Sequence, residues 1–192
     1  MNYIKSSVIA ATLIATGLPA VYAVAAVNVK STELTIHGTI LSSTCTATFP
    51  TSVTIADITQ NTYETAGINA QLGPDVTVGN VVFSGCDGAS TNVVLTAKGD
   101  TSLTTDSSKG TFTYKNASAG NENPMIYTLG YTAGATTGNF DLSGVTPVSF
   151  TGTGSTFSVQ QSMKVLKNAT VADISKYAGE FGTNITYTAD YK

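Results

Sequence analysis

The sequence predicts an all-β chain folded as an antiparallel sandwich, on three observations. Eight short segments alternate apolar with polar residues or are rich in β-branched ones; clusters of Gly, Asn, Asp and Ser separate them; and no apolar pattern of helical period runs far enough to compete. One domain is the natural count for a chain of 192 residues.

The elements follow in order. Residues 1–23, MNYIKSSVIAATLIATGLPAVYA, read as a signal peptide: Lys5 lies in a short polar start, an apolar run extends from Val8 to Leu18, and Val21 and Ala23 are the small residues a signal peptidase needs. Cleavage after Ala23 is expected, with Ala25 as the alternative. The run is too short to span a bilayer, and no later stretch approaches the necessary length. Export follows as the expectation.

After the signal, Ala25, Val27, Val29 and Ser31 share one parity, whereas Leu34 and Ile36 share the other. A change of parity in one extended stretch turns the apolar sides of its halves toward different surfaces. Either the first residues address something outside the core that Leu34 joins, or a β-bulge keeps both halves in one core.

The predicted strands are 33–41, 52–58, 76–86, 92–99, 110–114, 125–132, 156–166 and 183–191. TAGATTGN at 132–139 and SFTGTGST at 149–156 read as loops or strand connections, and VADISKYAG at 171–179 as a turn or two of helix. In the last strand Ile185, Tyr187, Ala189 and Tyr191 alternate with Thr186, Thr188 and Asp190 up to the penultimate residue. That pattern is a half-buried strand reaching the chain end, and something must hold such an end down.

Chemistry-bearing residues are sparse. Charged residues make 11% of the chain, the nine basic ones are all Lys, and the net charge is −3, so neither a basic footprint nor an Arg donor for nucleic-acid readout is present. His37 is the sole histidine and sits within a predicted strand, where it reads as an ordinary strand residue rather than a catalytic base. The carboxylates match no EF-hand or zinc spacing, and GTGS and GPDVTVG lack the strand and helix that make a phosphate cradle. NAS at 116–118, NAT at 168–170 and NIT at 184–186 match a glycosylation pattern that carries meaning only in a eukaryotic secretory route. No catalytic residue, metal or cofactor is predicted. Cys45 and Cys86 are an even pair in an exported chain, which predicts one disulfide contributing about 4 kcal/mol by loop closure.

These residues resemble a known family. GTILSSTC, with Gly38 seven residues before Cys45, the second cysteine in VVFSGCDG, and a carboxy-terminal pattern with Gly179 fourteenth from the end and Tyr191 next to last are similar to the pilin subunits of chaperone–usher fimbriae, notably type 1-like major pilins. The resemblance implies an incomplete immunoglobulin-like antiparallel sandwich, completed by a donor strand from the neighbouring subunit. It divides the chain into a signal peptide (1–23), an amino-terminal donor-strand extension (24–32) and a pilin domain (33–192). Ala25, Val27, Val29 and Ser31 would fill the preceding subunit's groove, while Gly179, Ile185, Tyr187 and Tyr191 would line this subunit's own groove, where a chaperone also binds. The arm has no glycine among its alternating positions, Ser31 being the nearest small residue, so the register of the donated strand is open. Implied partners are neighbouring fimbrial subunits, a periplasmic chaperone, an outer-membrane usher and, through the assembled fimbria, a host receptor. The implied location is a surface fimbrium reached through the periplasm. Two other functions fit the same residues: a single-domain adhesive subunit binding a host receptor through loops 115–124 or 133–156, and a self-complete secreted sandwich with a binding role.

Overall fold

In a computed structural model, residues 45–115, 123–171 and 173–192 are described, with the backbone alone for 87–90. The predicted signal peptide, the arm with Ala25, Val27, Val29 and Ser31, the strand at 33–41 with His37, and the NAS sequence lie outside the described residues.

Ten strands, one short helix and one 3₁₀ turn occupy the described chain. They are β1 (Thr46–Thr48), α1 (Gln60–Thr65), β2 (Val76–Gly99), β3 (Ser102–Leu103), β4 (Asp106–Thr111), β5 (Thr113–Tyr114), β6 (Met125–Ala133), β7 (Thr136–Asn139), β8 (Val148–Lys167), a 3₁₀ turn at Ile174–Tyr177, β9 (Phe181–Gly182) and β10 (Ile185–Tyr191). The main sheet runs in the order β1, β2, β8, β6, β4, β3, with β10 also on β2 and β7 on β6, and every pairing is antiparallel. A short ladder joins β5 to β9.

Two long strands make this sheet curl into a sandwich. The first part of β2 pairs with the second part of β8 (Val81 opposite Val159, Phe83 opposite Phe157), and the last part of β2 pairs with the start of β8 (Val93 opposite Phe150). Between these stretches the register shifts on either side of Gly88, and Gly154 adopts φ +88°, open to glycine without strain. The two halves therefore turn toward each other. Tyr131 meets Phe150 across the interior at 5.3 Å, and Phe83 meets Tyr191 at 6.3 Å. Between them lie the fully buried Tyr127, Leu129, Leu95, Val159 and Leu142.

Several local expectations change. The segments 76–86 and 92–99 are one strand bent at bulges, and 149–156 is strand, because Gly152 and Gly154 mark its bend instead of ending it. By contrast, 52–58 forms no ladder among the described residues. Its alternation predicts an extended chain with an apolar side, but says nothing of a partner. The short turn expected within 171–179 is present at Ile174–Tyr177, capped by the Asp173 carboxylate accepting from the Ser175 N–H at 3.1 Å.

Candidate functional site

Among the described residues, β10 is held along one edge only. All seven of its residues pair with β2, from Ile185 opposite Gly99 to Tyr191 opposite Val93, and the Lys192 N–H continues the ladder to the Asn92 carbonyl at 3.0 Å. Its start is fastened by Asp100, whose carboxylate accepts from the Asn184 backbone N–H at 3.1 Å and side-chain amide at 2.8 Å. These bonds keep the chain end from fraying. Among the described residues β10 has no other strand partner. The inward row Ile185, Tyr187, Ala189 and Tyr191 is only half-buried, although it packs against the core.

Opposite this row runs the unladdered segment 49–59. Phe49 stacks on Tyr187 with ring centres 5.5 Å apart, and Ile55 and Ile58 rest on the core. Between the segment and the stretch leading into β10 lie three adjoining cavities. One of about 300 Å³ is bounded by Pro50, Val53, Val78, Met163, Ile185 and Tyr187. A second of about 680 Å³ shares Val53, Met163 and Thr183 with it and reaches Phe112 and Gly179. A third of about 160 Å³ shares Ile58, Gly179 and Phe181 with the second and ends at Tyr63 and Tyr177. Together they form a groove of mixed lining, whose walls are an extended segment and the approach to the last strand. Apolar side chains alternate with polar ones such as Thr51, Ser52, Thr183 and Asn184 around it, and an open groove along a strand edge suits an extended segment.

Asp57 and Glu180 line the second cavity, and Glu180 pairs with the Lys115 ammonium at 2.8 Å. Tyr187 donates its hydroxyl to the Gln161 side-chain oxygen at 2.7 Å, and burial pushes its pKa up to about 12. Tyr127, whose hydroxyl lies 3.1 Å from that of Thr183, is shifted the same way, again by burial. Among the described residues no three His, Cys, Asp or Glu side chains gather as metal ligands would.

Of the predicted site residues, the structure brings Gly179, Ile185 and Tyr187 to the groove wall, and places Tyr191 on the same inward row beside Phe83. Gly179 has φ +119°, a backbone setting only glycine takes readily. Cys45 and Cys86 form a disulfide that fastens the entry of β1 to the middle of β2. The opposite wall differs from expectation, since the alternation at 52–58 predicts a strand and no ladder forms there among the described residues, and the sequence reading does not single out Gln161. The latter had a signal: Phe157, Val159, Met163 and Val165 alternate as apolar residues with Gln161 in their row.

The sequence matches no family model and no curated protein sequence. Solved structures do match. The chain is similar to the P pilus rod subunit PapA, at 12% identity and a TM-score of 0.53 over 77% of this chain and 99% of that one. It is similar also to a subunit in the structure of a chaperone–usher pilus that concerns rod uncoiling, at 13% identity and a TM-score of 0.53 over 85% of this chain and 96% of that one. The chain therefore has the fold of chaperone–usher pilus rod subunits, an immunoglobulin-like antiparallel sandwich.

Proposed function

We propose that this chain is a structural, non-catalytic subunit of a chaperone–usher fimbria and polymerises by donor-strand exchange. The observation that carries the reading is the pairing of β10, which among the described residues is one-sided and leaves its half-buried inward row facing a groove. The likeness to pilus rod subunits supports it. An extended segment added to that groove would gain backbone hydrogen bonds along the free edge and bury alternate side chains. The donor is the arm 24–32 of a neighbouring copy, with Ala25, Val27, Val29 and Ser31 turned inward. Burying such side chains contributes about 1 to 3 kcal/mol each before ordering costs are subtracted.

A free strand edge beside exposed apolar side chains is an aggregation hazard, so a periplasmic chaperone covers the groove until an outer-membrane usher exchanges it for the arm. Each subunit gives one strand and receives one, and a head-to-tail contact that does not close grows into a filament at the cell surface. Adhesion to a host receptor is then a property of the assembled fimbria.

Expression of the exported chain in a periplasm with and without a fimbrial chaperone tests this. The expected result is recovery only as a one-to-one complex, or as a ladder of polymers on an unheated non-reducing gel that collapses to monomer on heating. A soluble monomer obtained without any chaperone would mean that β10 is already completed within the chain, and the reading would fall.

A further inference from the structure

We infer that Gln161 and Tyr187 mark one polar position in the groove, that the Ser31 hydroxyl of a neighbouring copy docks there, and that this contact sets the register of the donated strand; the inference rests on the donor-strand reading above. The inward row of β8 runs Phe157, Val159, Gln161, Met163, Val165. Gln161 is wholly buried among these apolar neighbours. Its side-chain oxygen accepts the Tyr187 hydroxyl at 2.7 Å, but Nε2 has no hydrogen-bond partner. No other buried side-chain nitrogen or oxygen among the described residues is left so.

The position of this amide connects it to the groove. Tyr187, its one partner, and Met163, the next inward residue of β8, both line the 300 Å³ cavity beside β10. An unsatisfied buried donor disfavours any occupant that leaves it dry and favours one that brings an acceptor. On the proposed donor row, Ala25, Val27 and Val29 have none, and Ser31 is the single side chain that can accept.

Register is where such a contact matters. A strand that slips by two residues keeps the same face inward, so a row of small apolar side chains specifies its position weakly. A polar residue that meets Gln161 reduces that ambiguity, because a shifted register leaves the Gln161 Nε2 donor unpaired. The arm lacks a glycine at its alternating positions, and the serine supplies the mark instead.

The test uses polymers of the exported full chain carrying Ser31→Val, Ser31→Thr, Gln161→Met or Ser31→Val with Gln161→Met, compared by their rate of dissociation in denaturant. Ser31→Val should speed dissociation about tenfold, the loss of one buried hydrogen bond. Ser31→Thr, which keeps the hydroxyl, should match the parent, and the double variant should return to within about threefold of it, since apolar then meets apolar. An equal Ser31→Val effect with and without Gln161 overturns the inference while the polymers themselves stand, as would be found if a trapped water satisfied the amide. Should Gln161→Met fail to fold, a structure of the parent polymer decides: Ser31 Oγ at the Gln161 amide supports the inference, and any other donor residue there overturns it. Absence of polymers from the parent chain overturns the donor-strand reading and this inference with it.

Discussion

Lys167 shows how a buried ammonium can be satisfied by backbone carbonyls and an aromatic face. It is 3% exposed, yet its ammonium donates to the Tyr63 and Ala66 carbonyls at 2.9 Å each and lies 4.6 Å from the centre of the Tyr63 ring. Carbonyls at the end of a short helix carry partial negative charge, and the ring face adds to it. Lys167→Met should therefore strand two acceptors and lower stability by about 1 to 3 kcal/mol, read as a shift in the denaturant midpoint of the purified chain. The buried tyrosines make a second prediction. Tyr187 has its pKa raised to about 12 by burial, and Tyr114 and Tyr127 are raised too, whereas an unfolded tyrosine ionises near 10. The folded chain holds these phenols protonated where the unfolded chain has released their protons, so stability present below pH 10 is lost as pH rises from 10 toward 12. Denaturant midpoints measured across that window should fall, and Tyr187→Phe should make the fall shallower.

At the scale of elements, the disulfide and Gly179 each fix the course of the chain at one place. Cys45 and Cys86 join the residue before β1 to the middle of β2, next to the bulges at which that strand bends. Replacing both cysteines by serine should cost about 2 to 5 kcal/mol, and comparison of midpoints under oxidising and reducing conditions should give the same loss in the parent chain alone. Gly179→Ala, at φ +119°, should cost about 1 to 3 kcal/mol by backbone strain, and the loss should appear in the thermal midpoint. What the sequence made legible at this scale was whatever depends on neighbours in the chain. β10, β6 and the turn at Ile174–Tyr177 were readable because alternation and turn residues are local. α1 was not: it is only Gln60–Thr65, and it stands on the Thr59 cap, whose hydroxyl accepts from the Thr62 N–H at 3.1 Å, and on Lys167 a hundred residues away. The segment 52–58 has the pattern of a strand without the ladder, since pairing is decided by another segment. Gln161 carries a parity signal in the sequence that only the structure makes meaningful, because its partner Tyr187 is brought opposite by the fold of the sheet.

For the whole molecule, the proposed function makes the subunit polar, with an arm at one end of the chain and a groove beside the other. The two parts can be disabled separately. Deleting residues 24–32 removes the strand to be given and leaves the groove. Val53→Asp does the reverse: Val53 borders two of the adjoining cavities and is 38% exposed, so a charge there spares the core while disfavouring an apolar strand. Neither variant should polymerise by itself, because the first has nothing to donate and the second has no site to fill. Mixed after release from chaperone, they have one productive contact between them: the arm of the Val53→Asp chain in the groove of the shortened chain. The product should be a one-to-one dimer on an unheated gel, with no longer species at any ratio, since the dimer's remaining groove carries the charge and its remaining end has no arm. Small amounts of either variant added to the parent chain should shorten the ladder, each by ending growth at its own pole. A ladder formed by the shortened chain alone would show that the subunits join through some other surface.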